Sequence, residues 1–351
     1  MEITIANIQG VEKKYNVSNC EDLMSQLEKE VGIEFKYIDL FSNEDRITKN
    51  KKYMNSRMEN GLTLVYIVSD KPRLVDIDIS TFPSENGLLF EYYEKLVETY
   101  GPVKDWDVSW ITNMYGWFSI PDKHELSFML DDILDEEKQK NVYTSVSVIS
   151  NWDVSSVEDF GSMFENLIFF DISIEHWNMS SAITLDRMFY GCTNFNQPVD
   201  NWDVSNVKNM SFLFTGCENF NQSLNNWDVS NVKNMNKMFK CCEKFNQPLN
   251  FWDVSNVNNM IDMFSDCKKF NGTLDGWDVS DVIDMRSMFK NSGFKQSIKN
   301  WKPLKGVFVD EMFRDVLYPF KEELQKVFGI ERINEIFYEN MYYYHACTEN
   351  E

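Results

Sequence analysis

A tryptophan returns every 25 residues: Trp152, Trp177, Trp202, Trp227, Trp252 and Trp277, with Trp301 following after 24. Each opens the same pattern, W-D-V-S-x-V-x-x-M-x-x-M-F-x-x-C-x-x-F-N-Q-x-L. The copy from Trp202 shows it nearly whole, through Val204, Val207, Met210, Leu213, Phe214, Cys217, Phe220 and Leu224. Self-similarity at a fixed period of this length is the signature of stacked units that share one core. An earlier turn starts at Trp106, 46 residues before Trp152, which is one repeat plus 21 inserted residues. Met312 and Phe313 hold the pattern's offsets from Trp301, so the reading gives about eight coils over roughly 103–318.

Spacing inside the repeat assigns its parts. Trp and Val stand two apart, the period of a strand. Val, Met and the Met-Phe pair then step by three or four, the period of a helix. Ser205 and its equivalents sit between and can cap a short helical turn, and Ser155 with Glu158 forms a capping box. The expected coil is one short strand plus one or two helical turns, and the strands stack into a parallel sheet. The fold class expected is α/β, a leucine-rich-repeat-like solenoid of 25-residue coils.

These residues resemble the repeat of BspA-like bacterial surface proteins, a divergent leucine-rich repeat. Tyr100-Gly101-Pro102-Val103 ahead of Trp106-Asp107-Val108-Ser109 is similar to the first repeat of that family. The resemblance covers about 60% of the chain. It implies a surface, adhesion or binding role without catalytic residues. This chain departs from it in opening Met1-Glu2-Ile3-Thr4, with no basic and then apolar segment of an export signal. The expected location is therefore intracellular, in the cytoplasm, or the host cytoplasm if the chain is viral; the cell surface is the alternative.

The flanks read differently. Met1–Asn7 and Val11–Val17 alternate around Gln9-Gly10, a hairpin pattern. Ser18 and Glu21 form a capping box ahead of Leu23, Leu27 and Val31, and Gly32 ends that helix. Phe35–Phe41 and Leu62–Val68 read as further strands. This order resembles a small α+β ubiquitin-like β-grasp domain over 1–72, without the Gly-Gly terminus a conjugated tag needs. Residues 73–102 read as a linker and capping helix, with Leu88, Leu89, Tyr92, Leu96 and Val97 on one face. Residues 103–318 form the solenoid, with an insertion over 119–141, and 319–351 form a C-terminal helical cap. The insertion holds Leu126, Met129, Leu130, Ile133 and Leu134 at helical spacing among acids. It reads as a helix on the edge of the coils or as a binding loop.

Chemistry is sparse. Only His124, His176 and His345 occur, none in H-E-x-x-H, and G-x-G-x-x-G, Walker and G-x-S-x-G motifs are missing. The expectation is a non-enzyme without cofactor. Cys192, Cys217, Cys242 and Cys267 recur once per coil. Stacked side chains run parallel rather than converging on a metal, so they read as reduced core residues. Asp153, Asp203, Asp228, Asp253 and Asp278 also stack, with Asn178 in one coil. Like charges that close need partners: backbone amides or the neighbouring Ser, with calcium between coils as the alternative. Asn196, Asn221, Asn246 and Asn271 resemble the asparagine ladder of leucine-rich repeats, satisfying backbone groups where the coil turns.

The net charge of −22 opposes binding to a phosphate backbone and favours cationic partners only weakly. No apolar run is long enough to span a membrane. Three roles stay open: a scaffold or adaptor for a protein partner, a surface adhesion protein, and an adaptor of a ubiquitin pathway. On the surface, sequons such as Asn209-Met210-Ser211 and Asn271-Gly272-Thr273 would carry glycans. Inward positions barely vary between coils, so recognition must use the variable offsets 6, 7, 9 and 10 after each Trp. These place Lys208, Phe212, Lys233, Lys237, Ile261 and Asp262 in one stripe, expected on the exposed side of the helical turn and forming the candidate partner surface.

Overall fold

The computed structural model describes residues 2–7, 12–16, 20–31, 38–42, 45–47, 63–68, 103–106, 108–109, 111–119, 148–319, 321–329 and 332–337. The chain divides into two compact units. One contains a five-stranded sheet of β1 (Glu2–Asn7), β2 (Glu12–Asn16), β3 (Ile38–Ser42), β4 (Asp45–Ile47) and β5 (Thr63–Val68), with α1 (Cys20–Val31) between β2 and β3. The strand order is β2-β1-β5-β3-β4. β1 pairs antiparallel with β2 and parallel with β5, and β3 pairs antiparallel with both β5 and β4. Leu23 and Leu27 are buried on one face of α1, as is Tyr15 on β2. The short β4 has no alternation of its own and escaped the sequence reading.

In the other unit successive repeats pair residue for residue. Parallel bridges run Asn113↔Asp159, Asp159↔Thr184, Thr184↔Asn209, Asn209↔Asn234, Asn234↔Asn259, Asn259↔Asp284 and Asp284↔Phe308. The first of these crosses the 46-residue spacing, so the repeat begun at Trp106 stacks directly on the one begun at Trp152.

Within each repeat the structure corrects the expected assignment. Trp and Val at offsets 0 and 2 are buried but form no strand, and the segment read as helical carries the ladder instead. Met210, Phe212, Phe214 and Gly216 donate their N–H groups to the carbonyls of Asn234, Asn236, Met238 and Lys240 in the next repeat. Lys233 N–H points back to the carbonyl of Lys208. Residues at offsets 10 and 14 take left-handed backbone, as at Phe212 (φ 58) and Lys237 (φ 56), which no helix accommodates. Local bonds close every third residue: Leu213 to Met210, Thr215 to Phe212, Cys217 to Phe214, Phe220 to Cys217. A run of stacked turns therefore repeats its inward residues every three positions. That mimics helical spacing in the sequence. α-Helix appears in the described residues of this unit only at the end, in α2 (Lys321–Phe328) and α3 (Ile333–Phe337).

The core is columnar. Phe189, Phe214, Phe239, Phe264 and Phe289 are fully buried and stack at 5.6–5.8 Å between centroids. Phe195, Phe220, Phe245 and Phe270 form a second column beside them, with Phe214 and Phe220 only 4.1 Å apart. Offset stacking adds about 0.5–1.5 kcal/mol per pair beyond area burial. The indole N–H of each Trp from Trp177 to Trp301 donates to the main-chain carbonyl 27 or 28 residues back, just ahead of the preceding Trp, as Trp227 does to Val199 at 2.8 Å. The C-terminal helical segment reaches the repeat begun at Trp301 through main chain and side chain: Phe313 N–H donates to the Ile336 carbonyl, and the Arg332 guanidinium to the Val307 carbonyl. The linker helix expected over 87–100 and the insertion beyond Ser119 lie outside the described residues.

Candidate binding face of the ladder

The Asp, Asn and Cys ladders each have a polar task that the structure resolves. Each Asp at offset 1 accepts the N–H of the Ser two residues on, as in Asp153–Ser155, Asp203–Ser205, Asp228–Ser230, Asp253–Ser255 and Asp278–Ser280. Asn178 does the same for Ser180, so an amide replaces the acid there without loss. Hydrogen bonds from Ser230 hold the Asp228 carboxyl below its ordinary range. The asparagine ladder works along the array. Asn196, Asn221 and Asn246 each accept, through the side-chain oxygen, the N–H of the matching residue in the next repeat, and Asn271 accepts that of Lys295.

Each ladder thiol is fully buried and donates to the carbonyl of a column phenylalanine in the preceding repeat, as Cys217 does to Phe189 at 3.1 Å. Burial pushes all four thiols well above their ordinary value. As pH rises past about 8.5, unfolded thiols ionise while these keep their protons, so stability is expected to fall there. Thiol counting after denaturation should return all seven cysteines reduced, with no zinc in the native protein. Stoichiometric zinc, or flat stability across that pH range, would contradict this placement.

Offset 7, expected from the sequence to be an exposed recognition position, forms a further ladder instead. Offset 7, the bridging position itself, holds Asn113, Asp159, Thr184, Asn209, Asn234, Asn259 and Asp284. Each accepts the N–H two residues on. Its signal was the polar residue there in every repeat but the last, where Phe308 stands, and variation in type concealed it.

The six candidate residues lie on this ladder and not on a helical turn. Lys208 and Lys233 occupy neighbouring exposed places in the offset-6 column, joined through main chain. Phe212, Lys237 and Asp262 follow one another in the offset-10 column, all left-handed. Phe212 is half-buried rather than free. The Arg187 guanidinium lies 4.5 Å from its ring centroid on one side, the Lys237 ammonium 5.0 Å on the other, and Tyr190 packs at 6.3 Å. Ile261, also half-buried, receives the Lys237 N–H on its carbonyl. Asp262 pairs with Lys240 at 3.3 Å. Arg187 and Tyr190 belong to the same cluster and were missed, because the sequence reading compared only central repeats. The offset-6 column also exposes Ile183 and, further along, Ile283 beside Phe308, with the Arg286 guanidinium 5.6 Å from the Phe308 ring.

A family model described as "Mycoplasma protein of unknown function, DUF285" matches residues 134–251 and 222–327, together more than half of the chain. A search of curated proteins found no match. Matching solved structures include the NMR solution structure of a computational designed protein based on a template of human erythrocytic ubiquitin. It is 17% identical, covers 21% of this chain and 98% of that chain, and has a TM-score of 0.18.

Proposed function

This chain belongs to the family described as Mycoplasma protein of unknown function, DUF285, and from that premise we propose that it is a non-catalytic binding scaffold, a solenoid whose ladder face meets a protein partner. The match agrees with the BspA-type resemblance of the repeats. One observation carries the reading: the recurring positions point into the columns, while on the ladder Lys208 and Lys233 are exposed, Phe212, Lys237 and Ile261 are half-buried, and all five positions vary from repeat to repeat. Sites on rigid elements hold their geometry better than sites on loops. The absence of catalytic motifs in the sequence supports a role without chemistry.

The test is affinity capture from the native host with mass spectrometry, comparing the native chain with Phe212→Ser/Ile261→Ser. The variant should stay folded and lose the main partner. Full retention would move the contact to another face or to residues 1–72. The strand order β2-β1-β5-β3-β4 around one helix supports reading that N-terminal region as ubiquitin-like, a second module of an adaptor. The BspA-like resemblance of the repeats implies an adhesion role as the other reading, and a glycan mass shift at Asn209 or Asn271 in the native protein would support it.

A further inference from the structure

The charges on the ladder face are unevenly neutralised. Arg187 pairs with Glu165 at 3.1 Å, Lys240 with Asp262 at 3.3 Å, Arg286 with Asp284 at 2.7 Å and Lys290 with Glu311 at 2.8 Å. Lys208, Lys233 and Lys237 pair with no carboxylate among the described residues. Lys208 and Lys233 are exposed and Lys237 is half-buried, in two adjacent repeats of a chain with 56 acidic and 34 basic residues. Beside them the half-buried ring of Phe212 lies between the Arg187 and Lys237 cations, with Tyr190 packed at 6.3 Å.

Resting on the scaffold reading above, we infer that this patch takes an acidic peptide segment with an aromatic or large aliphatic residue among its carboxylates. The three ammonium groups offer charge-assisted hydrogen bonds to carboxylates. They would steer an acidic segment against the repulsion of the rest of the chain. Phe212 and Tyr190 supply the apolar contact that anchors such an interface. A nucleic acid meets the same lysines, but its continuous phosphate charge must also approach a molecule of net charge −22. A short peptide need not extend past the patch.

Fluorescence anisotropy of the full chain with a labelled Gly-Glu-Glu-Phe-Glu-Glu-Gly peptide tests this. Binding that weakens with salt is expected. Lys208→Glu/Lys233→Glu/Lys237→Glu should weaken it about tenfold or more. Lys268→Glu/Lys269→Glu, at offsets 16 and 17, should change it by less than about twofold. Gln in place of Glu at the three positions gives an intermediate loss and guards against misfolding, with melting temperature checked for each variant. The inference is overturned if the native chain does not bind the peptide, or if both Lys-to-Glu variants lose it equally. Tighter binding of oligo-dT or polyphosphate would overturn it, as would salt-sensitive self-association that the triple variant abolishes, since a second copy would then occupy the patch. If the peptide fails while host capture still depends on Phe212 and Ile261, only this inference falls. If capture ignores those two residues, the scaffold reading itself falls.

Discussion

Phe239→Ala is expected to cost about 3–5 kcal/mol of unfolding free energy, as large-to-small changes of a buried ring do. The ring is fully buried. It stacks at 5.7 Å on Phe214, 5.6 Å on Phe264 and 4.3 Å on Phe245, and meets Trp252 at 6.3 Å. A void there removes contacts from two interfaces at once, because each repeat is stabilised mainly by its neighbours. The neighbours cannot collapse into it without breaking the ladder bonds that Phe239 and Met263 share through main chain. Equilibrium urea unfolding measures the loss. A value below about 1 kcal/mol would place Phe239 outside the packed column.

Trp252→Phe tests a different force at the same depth. The ring stacks on Trp227 at 6.4 Å, and its N–H donates to the Leu224 carbonyl at 3.0 Å. Phenylalanine keeps most of the apolar surface and removes the indole donor, while the Leu224 carbonyl still accepts the Trp227 N–H at 3.3 Å; the lost hydrogen bond costs about 0.5–1.5 kcal/mol, and a small void opens. A total of about 1–3 kcal/mol is expected in the same unfolding experiment. A change below about 0.5 kcal/mol would mean that the indole N–H contributes nothing, and that its recurrence from Trp177 to Trp301 reflects ring size alone.

Periodicity made the inward residues legible, and burial agrees with it position by position, from Trp202 through Leu224. The stack of the Trp106 repeat on the Trp152 repeat was legible too, since a skipped 21 residues preserves the offsets. Backbone conformation was not. Spacings of three belong equally to a helix and to chained turns, and only the handedness at Phe212, Lys237 and Asp262 separates them. Glycine marks that handedness at Gly191 and Gly216, but Cys241, Asp266 and Asn291 take the same left-handed place at offset 14 and hide it. Of the variable offsets only offset 6 stays exposed, at Lys208 and Lys233; Phe212, Lys237, Ile261 and Asp262 are half-buried and Ser211 at offset 9 is buried, because this segment carries the ladder instead of a helical turn. The chemistry of the stripe was misjudged, since a lone exposed Phe212 looked unexplained until Arg187 and Lys237, one repeat away on each side, closed on its ring.

Core and face should come apart in one comparison. Phe212→Ser/Ile261→Ser touches only half-buried side chains, and its main losses are two cation–π contacts of about 0.5–1 kcal/mol each. Host capture by this variant, set against its own unfolding curve, tests the scaffold claim most directly. The predicted result is an unfolding free energy within about 2 kcal/mol of the native chain together with loss of the main partner. Full capture by the folded variant would contradict the claim that the ladder face is where this protein binds.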